Sequence, residues 1–215
     1  MLGITLALAF AGGTAAQCAA PPSLLSAPPA HVSYASTFDA TVWGGERIAN
    51  NGGISLTYSD PLKVALTDAK TKKRAVVRDA MLGACGAIES ASQAQSFVAY
   101  NAALALASNA SSAPKPGDTW NSTVRLYASA TQEIDVPVRV SVVKADRDSY
   151  TLQASGSASS TLTQYGTPIN LAYQAAARFE GGWLVQARSA AQENVQAGPE
   201  SQTMKFAWQL TRQKG

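Results

Sequence analysis

Ile134-Asp135-Val136-Pro137-Val138-Arg139-Val140-Ser141-Val142 alternates apolar and polar side chains without a break. That period of two belongs to a half-buried β-strand, because successive strand side chains point to opposite faces. Ile134, Val136, Val138, Val140 and Val142 therefore share one face. Pro137 lies on the other and cannot donate a ladder hydrogen bond, which predicts an edge or a bulge there.

The same period continues on both sides. Upstream, Trp120, Ser122, Val124 and Leu126 form one face of a strand. Downstream, Asp146-Arg147-Asp148 reads as a turn into Tyr150, Leu152 and Ala154. Ile169, Leu171, Tyr173, Ala175, Ala177 and Phe179 follow. Glu180-Gly181-Gly182 turns that strand into Trp183, Val185 and Ala187, and Met204, Phe206, Trp208 and Leu210 end the series. Six successive strands joined by short turns predict an antiparallel meander.

Before the loop from Ser108 to Gly117 the pattern is mixed. Phe38, Ala40 and Val42 alternate as one strand, and Ile54, Leu56 and Tyr58 as a second after an expected Asn50-Asn51-Gly52-Gly53 turn. Leu62, Val64 and Leu66 continue the pattern. The basic run Lys70, Lys72, Lys73 and Arg74 reads as a solvated hairpin tip leading to Ala75, Val76 and Val77. Between Asp79 and Ser108 Ala becomes dense, and Val77, Met81, Ala84 and Ile88 are spaced as one helical face, so one or two helices are expected. Val98, Tyr100, Ala102, Leu104 and Leu106 also satisfy a strand, which leaves residues 93–108 open between helix and strand. The expected class is α+β: a mainly antiparallel curved sheet, a half-barrel-like meander, packed on an Ala-rich helical segment. One domain over residues 32–215 is the working assignment, with a second domain from Lys115 as the alternative.

The N-terminus carries a different message. Leu2 to Phe10 is apolar, Gly12 to Ala16 is small, and no charged side chain precedes Asp39. This reads as a secretory signal over residues 1–16, without the usual basic residue after Met1. Pro21, Pro22, Pro28 and Pro29 then mark an extended tether over residues 17–31. The apolar run is too short for a bilayer span, which needs about 20 residues, so the expected location is periplasmic or extracellular. In that compartment the two cysteines, Cys18 and Cys85, are expected to pair, with a lone thiol or a lipidated Cys18 as alternatives. A bridge between them would close a long loop and stabilise by roughly 4 kcal/mol on the loop-entropy account.

Several chemistries lack their residues. Only 14% of the chain is charged and the formal net charge is +3. With no aromatic residue between Tyr58 and Phe97, the basic run has no stacking platforms beside it, which argues against a nucleic-acid partner. The one histidine, His31, lies in or just beyond the tether, so Ser/His/Asp and Cys/His mechanisms are not expected. One His and two distant Cys do not make a zinc site, so no metal and no cofactor is expected. Leu82-Gly83-Ala84-Cys85-Gly86 lacks the Lys and Ser/Thr of a phosphate loop and reads as helix packing. Asp118, Glu133, Asp135, Asp146, Asp148 and Glu180 could supply a glycosidic carboxylate pair, yet each stands where turns and strand ends place acids. Asn109-Ala110-Ser111 and Asn121-Ser122-Thr123 match glycan sequons and read as loop residues.

The inner face of the expected sheet is the most informative feature. It mixes Tyr150, Leu152, Leu171, Tyr173, Phe206 and Trp208 with small residues such as Ala154, Ala175, Ala177 and Ala187. Close packing requires that the space over the alanines be filled by a docked helix or an apolar ligand, and those six large residues are the candidate ligand contacts. The expected role is that of an exported, non-catalytic envelope or periplasmic protein that binds a hydrophobic ligand or lipid, or an envelope partner. The alternative is an assembly component pairing through a sheet edge near Pro137.

Pro114-Lys115-Pro116-Gly117-Asp118-Thr119-Trp120, opening a strand, together with Phe179-Glu180-Gly181-Gly182-Trp183-Leu184, resembles a pattern in secreted bacterial proteins of unassigned role. The resemblance covers the chain from Pro114 onward. Their strand layout is similar to the curved sheet of lipoprotein-sorting carriers, which implies a fold that shelters acyl chains and carries over no individual residue.

Overall fold

A computed structural model describes residues 31–59, 61–83, 86–110, 114–128, 132–163, 166–197 and 200–213. Cys18, Cys85 and the expected signal and most of the tether lie outside the described residues. His31 is inside them, as the first residue of β1.

The strands are β1 (His31–Thr41), β2 (Arg47–Thr57), β3 (Lys63–Asp68), β4 (Arg74–Val77), β5 (Met81–Leu82), β6 (Ile88–Glu89), β7 (Thr119–Tyr127), β8 (Glu133–Ala145), β9 (Ser149–Leu162), β10 (Thr167–Glu180), β11 (Trp183–Ala197) and β12 (Glu200–Arg212). Ten form one open antiparallel sheet in the order β4-β3-β2-β1-β12-β11-β10-β9-β8-β7, and β5 and β6 make a separate small hairpin. The six-strand meander is present, and its strands run longer than the clearest alternation suggested. Two meanders, β1 to β4 and β7 to β12, are joined where β1 pairs with β12, Phe38 opposite Trp208 and Ala40 opposite Phe206. One sheet thus spans both sides of Lys115.

The Ala-rich segment resolves as helix at its C-terminal end: a 3-10 turn at Ala94–Phe97 leads into α1 (Val98–Ala107). Val98, Tyr100, Ala102, Ala103, Leu104, Leu106 and Ala107 are all buried, so α1 is enclosed on most sides rather than amphipathic. Its last turn is held by β7. The Ser122 hydroxyl donates to the Ala105 carbonyl at 2.6 Å, and the Trp120 indole donates to the Leu106 carbonyl at 2.9 Å. These side chains satisfy carbonyls that a helix end leaves free, and they fix α1 over the sheet. Asn101 ties the other flank by bonding the Ile88 backbone N–H at 2.8 Å and carbonyl at 2.9 Å.

Several local expectations need correction. Val77, Met81 and Ile88 do not share a helical face. Val77 ends β4, and Met81 and Ile88 belong to the β5/β6 hairpin, which the Asp79 carboxylate braces by accepting hydrogen bonds from Ser90 and Ser92. Leu82 and Gly83 are therefore not helix packing. Asn50 to Gly53 is not a turn but the middle of β2, and the chain reverses at Trp43–Gly45, where Gly44 and Gly45 take φ of 78° and 80°. Gly52 is needed in β2 because a Cβ there would stand 2.7 Å from the Thr67 carbonyl oxygen. Val185 does not continue the inward face of β11. The ladder shifts so that Leu184 faces Phe179 and Ala187 faces Ala177, leaving Val185 as the additional residue. Asn121 lies in β7 rather than in a loop.

Pro137 is not at an outer edge, since β8 has β7 beside it and Thr123 opposite the proline. On its other side the β8–β9 ladder ends at Val138 and Gly156. The missing N–H thus falls where β9 departs from β8, and the bulge between these strands lies at Val142/Lys144. Beyond the departure the Gln132 side chain spans the gap, donating to the Thr161 carbonyl at 2.8 Å and accepting from the Thr163 N–H at 2.9 Å.

Candidate ligand site on the inner face

The ladders place inner-face side chains in rows that cross the sheet. One runs Asn50, Phe38, Trp208, Ser189, Ala175, Ala154, Val140 and Trp120. The next runs Ile48, Ala40, Phe206, Ala191, Tyr173 and Gly156. A third holds Met204, Glu193, Leu171 and Ala158, and a fourth Gln202, Val195, Ile169 and Ser160. Phe38, Phe206 and Trp208 cluster on β1 and β12, and the small Ser189, Ala175 and Ala154 continue the first row on β11, β10 and β9.

All six expected contact residues stand on this face, in two groups. Leu152, Leu171 and Tyr173 are fully buried in the core that α1 shares, and Tyr150 stacks on Phe179 with centroids 5.1 Å apart. Phe206 and Trp208 pack against the margin of the same core and are only half-buried. They stack at 6.0 Å, and Trp208 also meets the Phe38 ring at 5.6 Å. Ile48 (38% exposed) shares the Phe206 row, and Trp43 (49% exposed) sits in the adjoining turn. Alternation put Met204 on the face of Phe206 and Trp208, and put Phe38 with Ala40 on a face of β1 whose side of the sheet it left unassigned. What it lacked was the β1–β12 pairing that brings Phe38 onto Trp208.

Glu193 is the inner-face group that the reading of alternation overlooked. It has the parity of Ala187, Ala191 and Val195 in β11, and only 1% of its surface is exposed. Its Oε1 has no hydrogen-bond partner among the described residues, nor does the buried Oε1 of Gln202. Burial pushes the Glu193 carboxyl up to about 7. Tyr173 is also shifted upward by burial, with Ser189 offsetting part of the effect.

The opposite face has its own shallow groove, about 630 Å³, lined by Arg139, Gln153, Gln174, Ala176, Arg188 and Gln209 among others. A smaller one, about 470 Å³, lies between Tyr58, Leu62 and the exposed Met81 and Leu82. Of the acidic residues considered for glycosidic chemistry, Glu133 and Asp135 come together on one guanidinium, and Asp118, Asp146 and Glu180 each have a partner of their own. Glu133 and Asp135 pair with Arg125, Asp146 with Lys144, Glu180 with Arg178, and Asp118 accepts the Lys115 N–H. His31 bonds Thr57 and Ser33 at 3.1 and 3.0 Å. Among the described residues no group of three His, Cys, Asp or Glu is placed to hold a metal ion, and no helix is long and apolar enough to cross a membrane.

No family profile, no curated protein sequence and no solved structure matches the chain.

Proposed function

We propose that this chain is an exported, non-catalytic domain that holds the apolar part of an amphipathic molecule against the β1/β12 end of its inner face. One observation carries the reading: Phe38, Phe206 and Trp208 form a continuous aromatic contact on the helix-bearing face and yet remain half-open, with Ile48 and Trp43 beside them. A half-open apolar surface rimmed by polar residues fits a ligand groove. The leader-like composition of residues 1–16 supports export.

Native mass spectrometry of protein expressed with its leader and recovered from the periplasm tests this. A bound mass of a few hundred daltons, lost on denaturation and absent from a folded Trp208→Ser, Phe206→Ser double variant, is the expected result. A bare chain that also fails to shift its tryptophan emission with decanol overturns the ligand reading.

A second reading, pairing with another envelope protein through a sheet edge, draws support from β4 rather than Pro137. β4 is an outer strand, and its Val76 is 67% exposed. In-envelope cross-linking from position 76 would capture a partner; a chain that cross-links to nothing there leaves this reading without support.

A further inference from the structure

Glu193 and Gln202 occupy adjacent strands in diagonal register: Glu193 faces Met204, and Gln202 faces Val195, two residues along β11. Diagonal neighbours in an antiparallel ladder stand roughly 7–8 Å apart, a span that two long side chains can close on one small group. Both present a buried acceptor oxygen with no donor among the described residues.

Among the described ladder neighbours no cationic donor is present, and the neutral donors there are the Gln202 amide nitrogen and the buried Tyr173 hydroxyl. Across the ladders Glu193 meets Leu171, Tyr173 and Ile169 on β10, and Met204, Phe206 and Gln202 on β12. None of these carries a positive charge, and α1 contains no charged residue. A buried carboxyl of this kind is costly to keep without a partner. Its neighbours Met204 and Gln202 are only half-buried, so it lies one side chain below the surface, beside the half-open Phe206.

We propose that Glu193 and Gln202 form a head-group site for a primary amine, the polar end of an amphiphile whose apolar part lies on Phe206, Trp208 and Phe38. This rests on the reading of the inner face as a ligand groove and adds the chemistry of the ligand's head. An ammonium has donors for both orphan oxygens and a charge for the carboxylate; an alcohol has a single donor, and a carboxylate has none.

The test is titration of the purified protein, followed by tryptophan emission, with decylamine, decanol and decanoate at pH 7.5, each below its micelle concentration. In the native chain decylamine should bind about tenfold more tightly than decanol, with decanoate weakest. Glu193→Gln should remove most of the preference for decylamine over decanol. Gln202→Leu, altered at a half-buried rim position, should reduce the preference in part. Equal binding of amine and alcohol by the native chain, or a preference that survives Glu193→Gln, overturns the head-group site and leaves the groove standing. Failure of all three probes to bind overturns both.

Discussion

The carbonyl oxygen of Pro137 occupies the place where Gly156 would carry a Cβ, at the last rung of the β8–β9 ladder. The obstacle is backbone, which cannot swing aside as a long side chain can. Gly156→Ala should therefore lower stability by about 1–3 kcal/mol, the usual cost of overpacking, in urea unfolding. Ser157→Ala, one residue on and exposed, should stay within about 0.5 kcal/mol. Equal effects at the two positions would mean that β9 leaves β8 for another reason.

Where the proline ends the ladder, Gln132 takes over. Its amide contacts Thr161 and Thr163 in place of backbone pairing. Gln132→Ala should cost about 1 kcal/mol, consistent with exposed hydrogen bonds, and the loss should be local. Amide exchange should accelerate at Thr163, while the Val138 and Val140 amides keep their protection.

Leu106 and Trp208 face the same side of the sheet and should respond differently. Leu106 is wholly buried in α1, so Leu106→Ala should cost about 2–5 kcal/mol. Trp208 is half-open, and Trp208→Ser should cost less than Leu106→Ala while abolishing the emission response to decanol. A Trp208 variant as unstable as the Leu106 variant would make the aromatic row a part of the core.

The β7 to β12 meander was legible because each strand pairs with the next, so period and turns together determine it. Pairing of β1 with β12 joins segments at opposite ends of the chain, and no local pattern encodes that register. This explains why Phe206 and Trp208 were found without Phe38. Asn50 to Gly53 misled because the glycines that favour a turn also serve a strand whose neighbour's backbone comes close, here Thr67. The 77–88 stretch misled because a spacing of four, three and four over small residues fits a helix, while the Asp79 bonds to Ser90 and Ser92 that hold the hairpin have no periodic signature. Glu193 was visible by parity, but its burial depends on Met204, Leu171 and their neighbours in the folded sheet.

That burial gives the final prediction its sign. In the unfolded chain Glu193 ionises near its ordinary value of 4.5, whereas in the fold burial holds it to about 7. Between these values the folded state binds more protons than the unfolded one, so stability falls as pH rises through the window and levels off above it. Asp39, Asp68 and Asp79 are shifted the other way by their hydrogen bonds, so their contributions are lost on acidification, below the Glu193 window. Urea unfolding of the ligand-free chain at pH 5 and pH 8 should show the native protein losing up to about 2 kcal/mol of stability, with Glu193→Gln nearly level. Parallel profiles for the two proteins would mean that the carboxylate already has a partner in the fold, which would also remove the ground for an amine-binding site.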